Sequence, residues 1–127
     1  MQESKFRFLG YRVTKIDCEI KDNYDFRNPK LSQSINVQQI YNENEKRFVE
    51  VVLDVQIESE DKTLAFFVRL KGGFRGDETI SDEAFEKLSR QNAPAILYPF
   101  VRAIVTTYTA QANIPPVIMT AVDFSQL

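Results

Sequence analysis

The chain has 127 residues, of which 43% are hydrophobic and 27% charged, the composition of a folded protein; we predict a single domain over residues 1–127. Sixteen basic and 18 acidic side chains leave a net charge of -2, which gives no electrostatic reason to expect a nucleic-acid partner. The sequence has no histidine and one cysteine, Cys18. This excludes a Ser-His or Cys-His nucleophile pair, an intrachain disulfide and an ordinary zinc site. We therefore expect no cofactor, no metal and no enzymatic activity.

The sequence also shows no pattern typical of a targeting signal or a membrane-spanning helix. No apolar run reaches the roughly 20 residues that a membrane-spanning helix needs. Residues 1–8 mix charged with apolar side chains, unlike the apolar stretch of a signal peptide. A lone cysteine favours a reducing compartment. The sequence thus predicts a cytoplasmic protein that does not insert into a membrane.

The first half of the chain predicts β-structure. Apolar residues alternate from Phe6 to Ile20, but the alternation changes phase, which indicates a bulge near Gly10 or around Thr14 to Lys15. Turn-forming residues fill 22–30 and predict a loop that is long enough for a crossover.

Three further strands follow that loop. They are predicted at 31–41, 48–57 and 63–70. The last should end at Gly72-Gly73, which we interpret as a turn or hinge because no phosphate-loop pattern accompanies it. Short polar links between consecutive strands favour an antiparallel sheet.

Two helices are predicted after the strands. Ser81 is a candidate N-cap for the first, which should end near Asn92. The second should start at Pro94 or Tyr98 and end at Ala112, where Asn113 and the following Pro-Pro pair stop it. Strands followed by helices predict an α+β fold with two layers, in which a four-stranded antiparallel sheet carries two C-terminal helices packed on one face.

The second predicted helix is apolar over most of its circumference. Its two apolar faces are Ile96, Phe100, Ile104 and Tyr108, and beside them Leu97, Val101 and Val105. A helix that covers one sheet needs only a moderate apolar stripe. We predict that a second subunit or a bound apolar segment covers the remainder. The alternative is that the tail, residues 114–124, folds back over the helix.

Aromatic residues outside the periodic segments point to a binding surface. Tyr24 and Phe26 lie in the 22–30 loop, and Phe74 follows the glycine pair. An apolar groove combined with backbone pairing at an edge strand would bind extended polypeptides with little sequence preference. The acidic clusters fall in polar links, where solvated turns explain them.

Several ordered motifs resemble the SecB family of protein-export chaperones. Residues 92–102, NAPAILYPFVR, resemble its helix-entry motif, and residues 116–124 resemble its terminal proline, apolar strand and Val-Asn-Phe. Glu50 to Leu53 and Gly72 to Phe74 stand where the family has similar segments. The resemblance extends over roughly residues 46–124.

The resemblance implies an ATP-independent holdase for unfolded polypeptides. In the family, two subunits pair into an eight-stranded dimer, and two dimers pack through helices into a tetramer. It implies a client groove at Tyr24, Phe26 and Phe74, with Leu97 and Val101 as its floor. The residues expected at the oligomer interface are Phe85, Leu88, Ile104, Val105 and Tyr108.

Two departures from the family leave delivery to the SecA motor open. The sequence stops at Leu127, shortly after Phe124, where the export chaperone continues with a tail that helps dock SecA. Val68 stands where the export protein has an acidic residue. SecB-like chaperones also act beside toxin–antitoxin pairs. An antitoxin chaperone, or a scaffold or ligand-binding protein that has kept the fold, is therefore the alternative to an export chaperone.

Overall fold

The computed structural model describes residues 5–126, and it contains one antiparallel sheet followed by one long helical segment. The strands are β1 (Phe6–Ile20), β2 (Leu31–Tyr41), β3 (Phe48–Ser59) and β4 (Leu64–Gly76). The helical elements are α1 (Asp82–Lys87), a π-helical turn (Leu88–Asn92), α2 (Ala93–Gln111) and a short 3-10 turn (Phe124–Gln126). The predicted fold class, a four-stranded antiparallel sheet with helical cover on one face, is confirmed.

The sheet order is β1-β4-β3-β2, so the loop between β1 and β2 is a crossover. β1 crosses over to pair with β4, while β2, β3 and β4 form a meander. β1 carries register shifts between Phe8 and Gly10 and between Val13 and Lys15, so a bulge is present at each of the two positions that the sequence offered as alternatives. The bulges explain why the alternation in β1 changes phase twice, since each inserts one unpaired residue.

The core lies between the helical layer and the face of β3 and β4 that carries alternate apolar residues. Val51, Leu53 and Val55 of β3 are fully buried, as are Val68 and Leu70 of β4. The opposite face of these strands carries mostly charged and polar residues. This alternation is the ordinary pattern of an antiparallel sheet that is covered on one side.

The glycine pair does not end the fourth strand. Gly72 and Gly73 lie inside β4, which continues to Gly76, so the interpretation as a turn or hinge is wrong. Gly72 faces α2, and a Cβ atom at this position would lie 2.6 Å from Cδ2 of Leu97. A glycine here therefore allows the helix to approach the sheet closely.

The two predicted helices are one continuous segment rather than two. Ser81 caps it as predicted, since its hydroxyl accepts a hydrogen bond from the Ala84 amide at 3.1 Å. The chain does not break at Asn92; instead Ala93 donates its amide to the Leu88 carbonyl in a π-type bond. Pro94 has no amide hydrogen, and its ring would crowd the preceding turn of a regular α-helix. The wider π-turn makes room for it.

The chain reverses after α2 and returns along the helix. Asn113 adopts a left-handed backbone with φ of 62°, a conformation common at helix ends. The amide of Val117 then donates to Oγ1 of Thr109 at 2.9 Å, and Oγ1 of Thr106 donates to the Val117 carbonyl at 3.0 Å. The Tyr98 hydroxyl donates to the Thr120 carbonyl. The tail thus folds back over one flank of α2, which was the alternative left open by the sequence.

Candidate functional site: an apolar surface along the first strand and the long helix

The helical layer leaves the β1 side of the sheet uncovered. α2 packs on β3 and β4, and the tail lies on the β2 side, where Val117 and Met119 are buried near Ile57. On β1, Tyr11 and Val13 pair with Gly72 and Leu70, so they point toward the helical layer. They nevertheless remain 40% and 39% exposed, because the elements between residues 5 and 126 cover them only in part.

Aromatic contacts join this part of β1 to the outer face of α2. The rings of Tyr11 and Phe100 have centroids 4.5 Å apart, and Phe8 lies 5.8 Å from Phe100. Near the end of α2, Tyr108 packs edge-on against Phe66 with centroids 5.1 Å apart. Aromatic contacts of this kind hold the exposed rings in fixed positions.

Between these rings lies an open cavity of about 430 Å³. Its lining is apolar apart from Thr107 and the end of Gln111. Val13 and Ile16 continue the apolar strip along β1, since both are exposed and point to the helical side. We call the following residues the β1–α2 surface: Tyr11, Val13, Ile16, Phe100, Ile104 and Tyr108. A contiguous apolar surface of this kind is typical of a site that contacts another polypeptide.

The crossover loop lies at one end of the sheet. The Lys21 amide donates to the Thr63 carbonyl at 2.8 Å, and the Glu60 amide donates to the Lys30 carbonyl at 2.9 Å, so the loop rests against the turn between β3 and β4. Tyr24 packs against the edge of the core, whereas Phe26 is 49% exposed. Neither residue lines the cavity between Tyr11 and Gln111.

Tyr24 instead borders a polar cavity of about 350 Å³ beside Asp25, Asp61 and Thr63. Burial raises the pKa of the Tyr24 hydroxyl, and the charges of Asp61 and Asp25 raise it further. The hydroxyl is therefore neutral at physiological pH. That Tyr24 and Phe26 line a client groove remains a prediction.

Three of the predicted groove residues belong to the subunit core. Phe74, Leu97 and Val101 have no exposed surface, because they fill the space between β4 and α2. They offer no surface to a client in this conformation. The sequence showed that these positions are apolar but not which flank of the helix the sheet would cover.

Some of the predicted interface residues are buried within the subunit, and others present surface. Phe85 and Val105 are buried within the subunit, with Phe85 packed against Phe6 at a centroid distance of 5.9 Å. Leu88 and Ile104 are half-buried, and Tyr108 is 41% exposed. Only the last three present surface to a partner, and of these Ile104 and Tyr108 belong to the β1–α2 surface. Tyr11, Val13 and Ile16 were missed, although the alternation of β1 beyond its bulges could have identified them.

Neither a group of metal-ligand side chains nor a helix fit to cross a bilayer was found among the described residues. No group of three or more potential ligand side chains is found between residues 5 and 126. Within the same range, no helix is both long and apolar enough to cross a bilayer.

A sequence profile and several curated relatives point to one family. The sequence profile of SecB, described as preprotein translocase subunit SecB, matches residues 19–127. The protein-export protein SecB of Anaplasma phagocytophilum is 37% identical over 83 residues, which cover 61% of this chain and 52% of that protein. The uncharacterized protein MJ0357 of Methanocaldococcus jannaschii is 33% identical over 126 residues, covering 92% of this chain and 78% of that protein. The chain spans about half the length of the Anaplasma export proteins that it matches.

A solved structure shares the fold. The SecB-like chaperone Rv1957 of Mycobacterium tuberculosis, solved with a ChAD peptide from the HigA1 antitoxin, aligns with a TM-score of 0.79 at 10% identity. The alignment covers 93% of this chain and 91% of that chain.

Proposed function

Because the chain belongs to the SecB family, we propose that it is an ATP-independent holdase for unfolded polypeptides, acting in protein export. SecB is a family of chaperones rather than of enzymes, and we infer that this chain likewise carries out no chemistry. The observation that supports the proposal is exposed apolar surface: the β1–α2 surface, which we assign below to subunit contact, and Phe26 on the crossover loop, which we assign to clients. The glycine-rich segment, which the sequence analysis weighed as a phosphate loop, is part of strand β4.

We further propose that two such subunits meet through the β1–α2 surface and that dimers pair into a tetramer. β1 is an edge strand of 15 residues, and a long exposed edge beside apolar side chains promotes unspecific aggregation unless something covers it. A second copy would cover both the edge and the exposed rings. SecA as the receiving motor and a cytoplasmic location belong to the same proposal.

Clients, in this proposal, bind beside the subunit contact, at the crossover loop. Phe26 on that loop leaves about half of its surface exposed. The loop lies at the same end of the sheet as the C-terminal part of α2, so a client chain could extend from Phe26 toward the assembled helices.

Three variants, one double and two single, separate the role in assembly from the role in client binding. Replacing Ile104 and Tyr108 by serine should shift the assembly toward monomers in analytical ultracentrifugation, since both side chains would be buried by the partner. Phe26→Ala should leave assembly intact but weaken suppression of aggregation of a chemically unfolded protein. Ile118→Ser is the matched control, because Ile118 is 79% exposed on the tail and belongs to neither surface.

The outcomes decide the proposal directly. If the wild-type protein fails to slow aggregation at an equimolar ratio, it is not a holdase. If Ile118→Ser and Phe26→Ala lower the activity equally, the loop has no special role. A single tightly bound folded partner without affinity for unfolded chains would favour the scaffold alternative.

A further inference from the structure

The face of the sheet that points away from the helices carries a run of like charges. β1 and β4 pair so that three basic residues of one strand lie directly opposite three basic residues of the other. These pairs are Arg7 with Arg75, Arg12 with Lys71, and Lys15 with Arg69. We call these six residues the basic ladder. Their neighbours in β4, such as Val68 and Leu70, are buried on the helical side, which places the ladder on the open side.

This arrangement is unfavourable for the isolated subunit. Like charges directly opposite each other on neighbouring strands destabilise a sheet. Two members are compensated: Arg69 donates Nε and Nη2 to the Asp54 carboxylate at 2.7 and 2.9 Å, and Arg75 lies 3.6 Å from Glu45. The other four make no ion pair with any residue between 5 and 126. Their charges are therefore available to a partner.

Aromatic rings beneath the ladder hold some of these cations in place. Lys15 Nζ and Arg69 Cζ lie 5.4 and 5.5 Å from the ring centroid of Phe67. Arg75 Cζ lies 5.6 Å from the centroid of Phe48. Cations positioned over rings lose less side-chain freedom when an anion binds, so they bind it more tightly than mobile lysines would.

Carboxylates limit the length of the ladder on the same face. Asp17 pairs with Phe67 at one end of the ladder, and Glu50 pairs with Gly73 along its β3 side. Along β4 the ladder extends from Arg69 to Arg75, which is roughly 20 Å at about 3.3 Å per residue. A long polyanion such as nucleic acid would run onto these carboxylates, and the net charge of -2 does not attract it. A short acidic peptide segment fits the length of the ladder and does not reach the carboxylates that border it.

We propose that the open face of the sheet, through the basic ladder, is a docking site for a short acidic segment of a partner protein. The site lies on the face opposite the helices and goes beyond the proposed holdase function. It stands whether or not the β1–α2 surface binds a second subunit.

Binding of a labelled peptide with six consecutive glutamates, flanked by Gly-Ser, tests the proposal by fluorescence anisotropy. We expect saturable binding that weakens as salt rises, because exposed charges are screened. The peptide with glutamine in place of glutamate should not bind. In NMR titration of the wild-type protein, amide shifts should be confined to β1 and β4.

Replacing Arg12, Lys15 and Lys71 by glutamine should weaken binding at least about fivefold, taking the modest contribution of each exposed pair together. The control variant replaces Lys21, Lys46 and Lys87 by glutamine. These lysines are exposed and lie outside the ladder, and their replacement changes the net charge by the same amount as the ladder variant does. The control variant should change affinity less than twofold. The melting temperature of the ladder variant should equal or exceed that of the wild type, since the repulsion is relieved.

Four results would overturn the proposal. They are absence of binding to the wild type, equal losses in the ladder and control variants, amide shifts centred on α2, and tighter binding of a six-nucleotide oligothymidylate than of the glutamate peptide. None of these assays uses an unfolded client, so a failed holdase assay would leave them unaffected.

Discussion

The two adjacent glycines of β4 should respond in opposite directions to replacement by alanine. A Cβ atom on Gly72 would lie 2.6 Å from Cδ2 and 3.1 Å from Cδ1 of Leu97. Leu97 is fully buried, so its methyl groups have little room to move aside. On Gly73, which faces the open side, the nearest atom to a new Cβ is Cε2 of Phe48 at 3.7 Å, an ordinary contact.

The magnitude follows from two opposing effects. Adding volume to a well-packed core costs about 1–3 kcal/mol. Replacing glycine by alanine restricts the unfolded chain and returns roughly 0.4–1 kcal/mol where the backbone permits it. Gly72→Ala should therefore destabilise the protein by roughly 1–2 kcal/mol. Gly73→Ala should range from neutral to about 1 kcal/mol stabilising.

Urea unfolding followed by circular dichroism measures both changes, at one protein concentration so that assembly contributes equally. The double variant Gly72→Ala with Leu97→Ala isolates the contact. Leu97→Ala alone should cost about 2–5 kcal/mol by leaving a cavity. In the double variant the new methyl group enters that cavity, so its cost should be at least about 1 kcal/mol less than the sum of the single changes. Equal effects at the two glycines, or strict additivity, would refute the packing argument.

Two further predictions concern the tail and the β3–β4 turn. The Tyr98 hydroxyl donates to the Thr120 carbonyl and accepts from Nε2 of Gln33 at 2.9 Å. Tyr98→Phe removes both hydrogen bonds and should lower the free energy of unfolding by about 1 kcal/mol. An unchanged free energy would show that the tail is held without this hydroxyl. Hydrogen bonds from Thr63 and Ser59 lower the pKa of Asp61, so its contribution to stability is present above the unfolded pKa of about 3.9 and is lost as pH falls through the lower folded value. Urea titrations at several acidic pH values should show a smaller loss of stability in Asp61→Asn than in the wild type, and parallel pH profiles would contradict this.

The sheet was largely predictable because its signals are local. Alternation in β2 and β3 and the turn residues of 22–30 fix strand positions without knowledge of their partners. A change of phase likewise indicated a bulge in β1, but not that the strand has two. The end of β4 was not predictable, since the reason for Gly72 is the distant Leu97. A glycine pair looks the same in a turn and at a close contact.

An apolar surface could be predicted from the sequence, but not which residues form it. The excess apolar circumference of α2 predicted cover from outside the sheet, and the tail supplies it along one flank, which was the alternative reading. Whether Val101 or Ile104 faces the sheet depends on how the helix is rotated, and periodicity does not determine that rotation. The basic ladder was invisible for a related reason: it requires the pairing of β1 with β4, and the balanced net charge conceals cations that gather on one face.

The sheet order has a consequence for synthesis on the ribosome. β1 is translated before every other strand, yet its partner is β4, and Phe6 must wait for Gly76. The meander from β2 to β4 needs only neighbouring segments and should form early, whereas closing the long loop to β1 is slower. The apolar strip of Tyr11, Val13 and Ile16 therefore stays unpaired on the nascent chain until the sheet is otherwise complete. During that interval this chain, which we propose protects others from aggregation, would itself need protection.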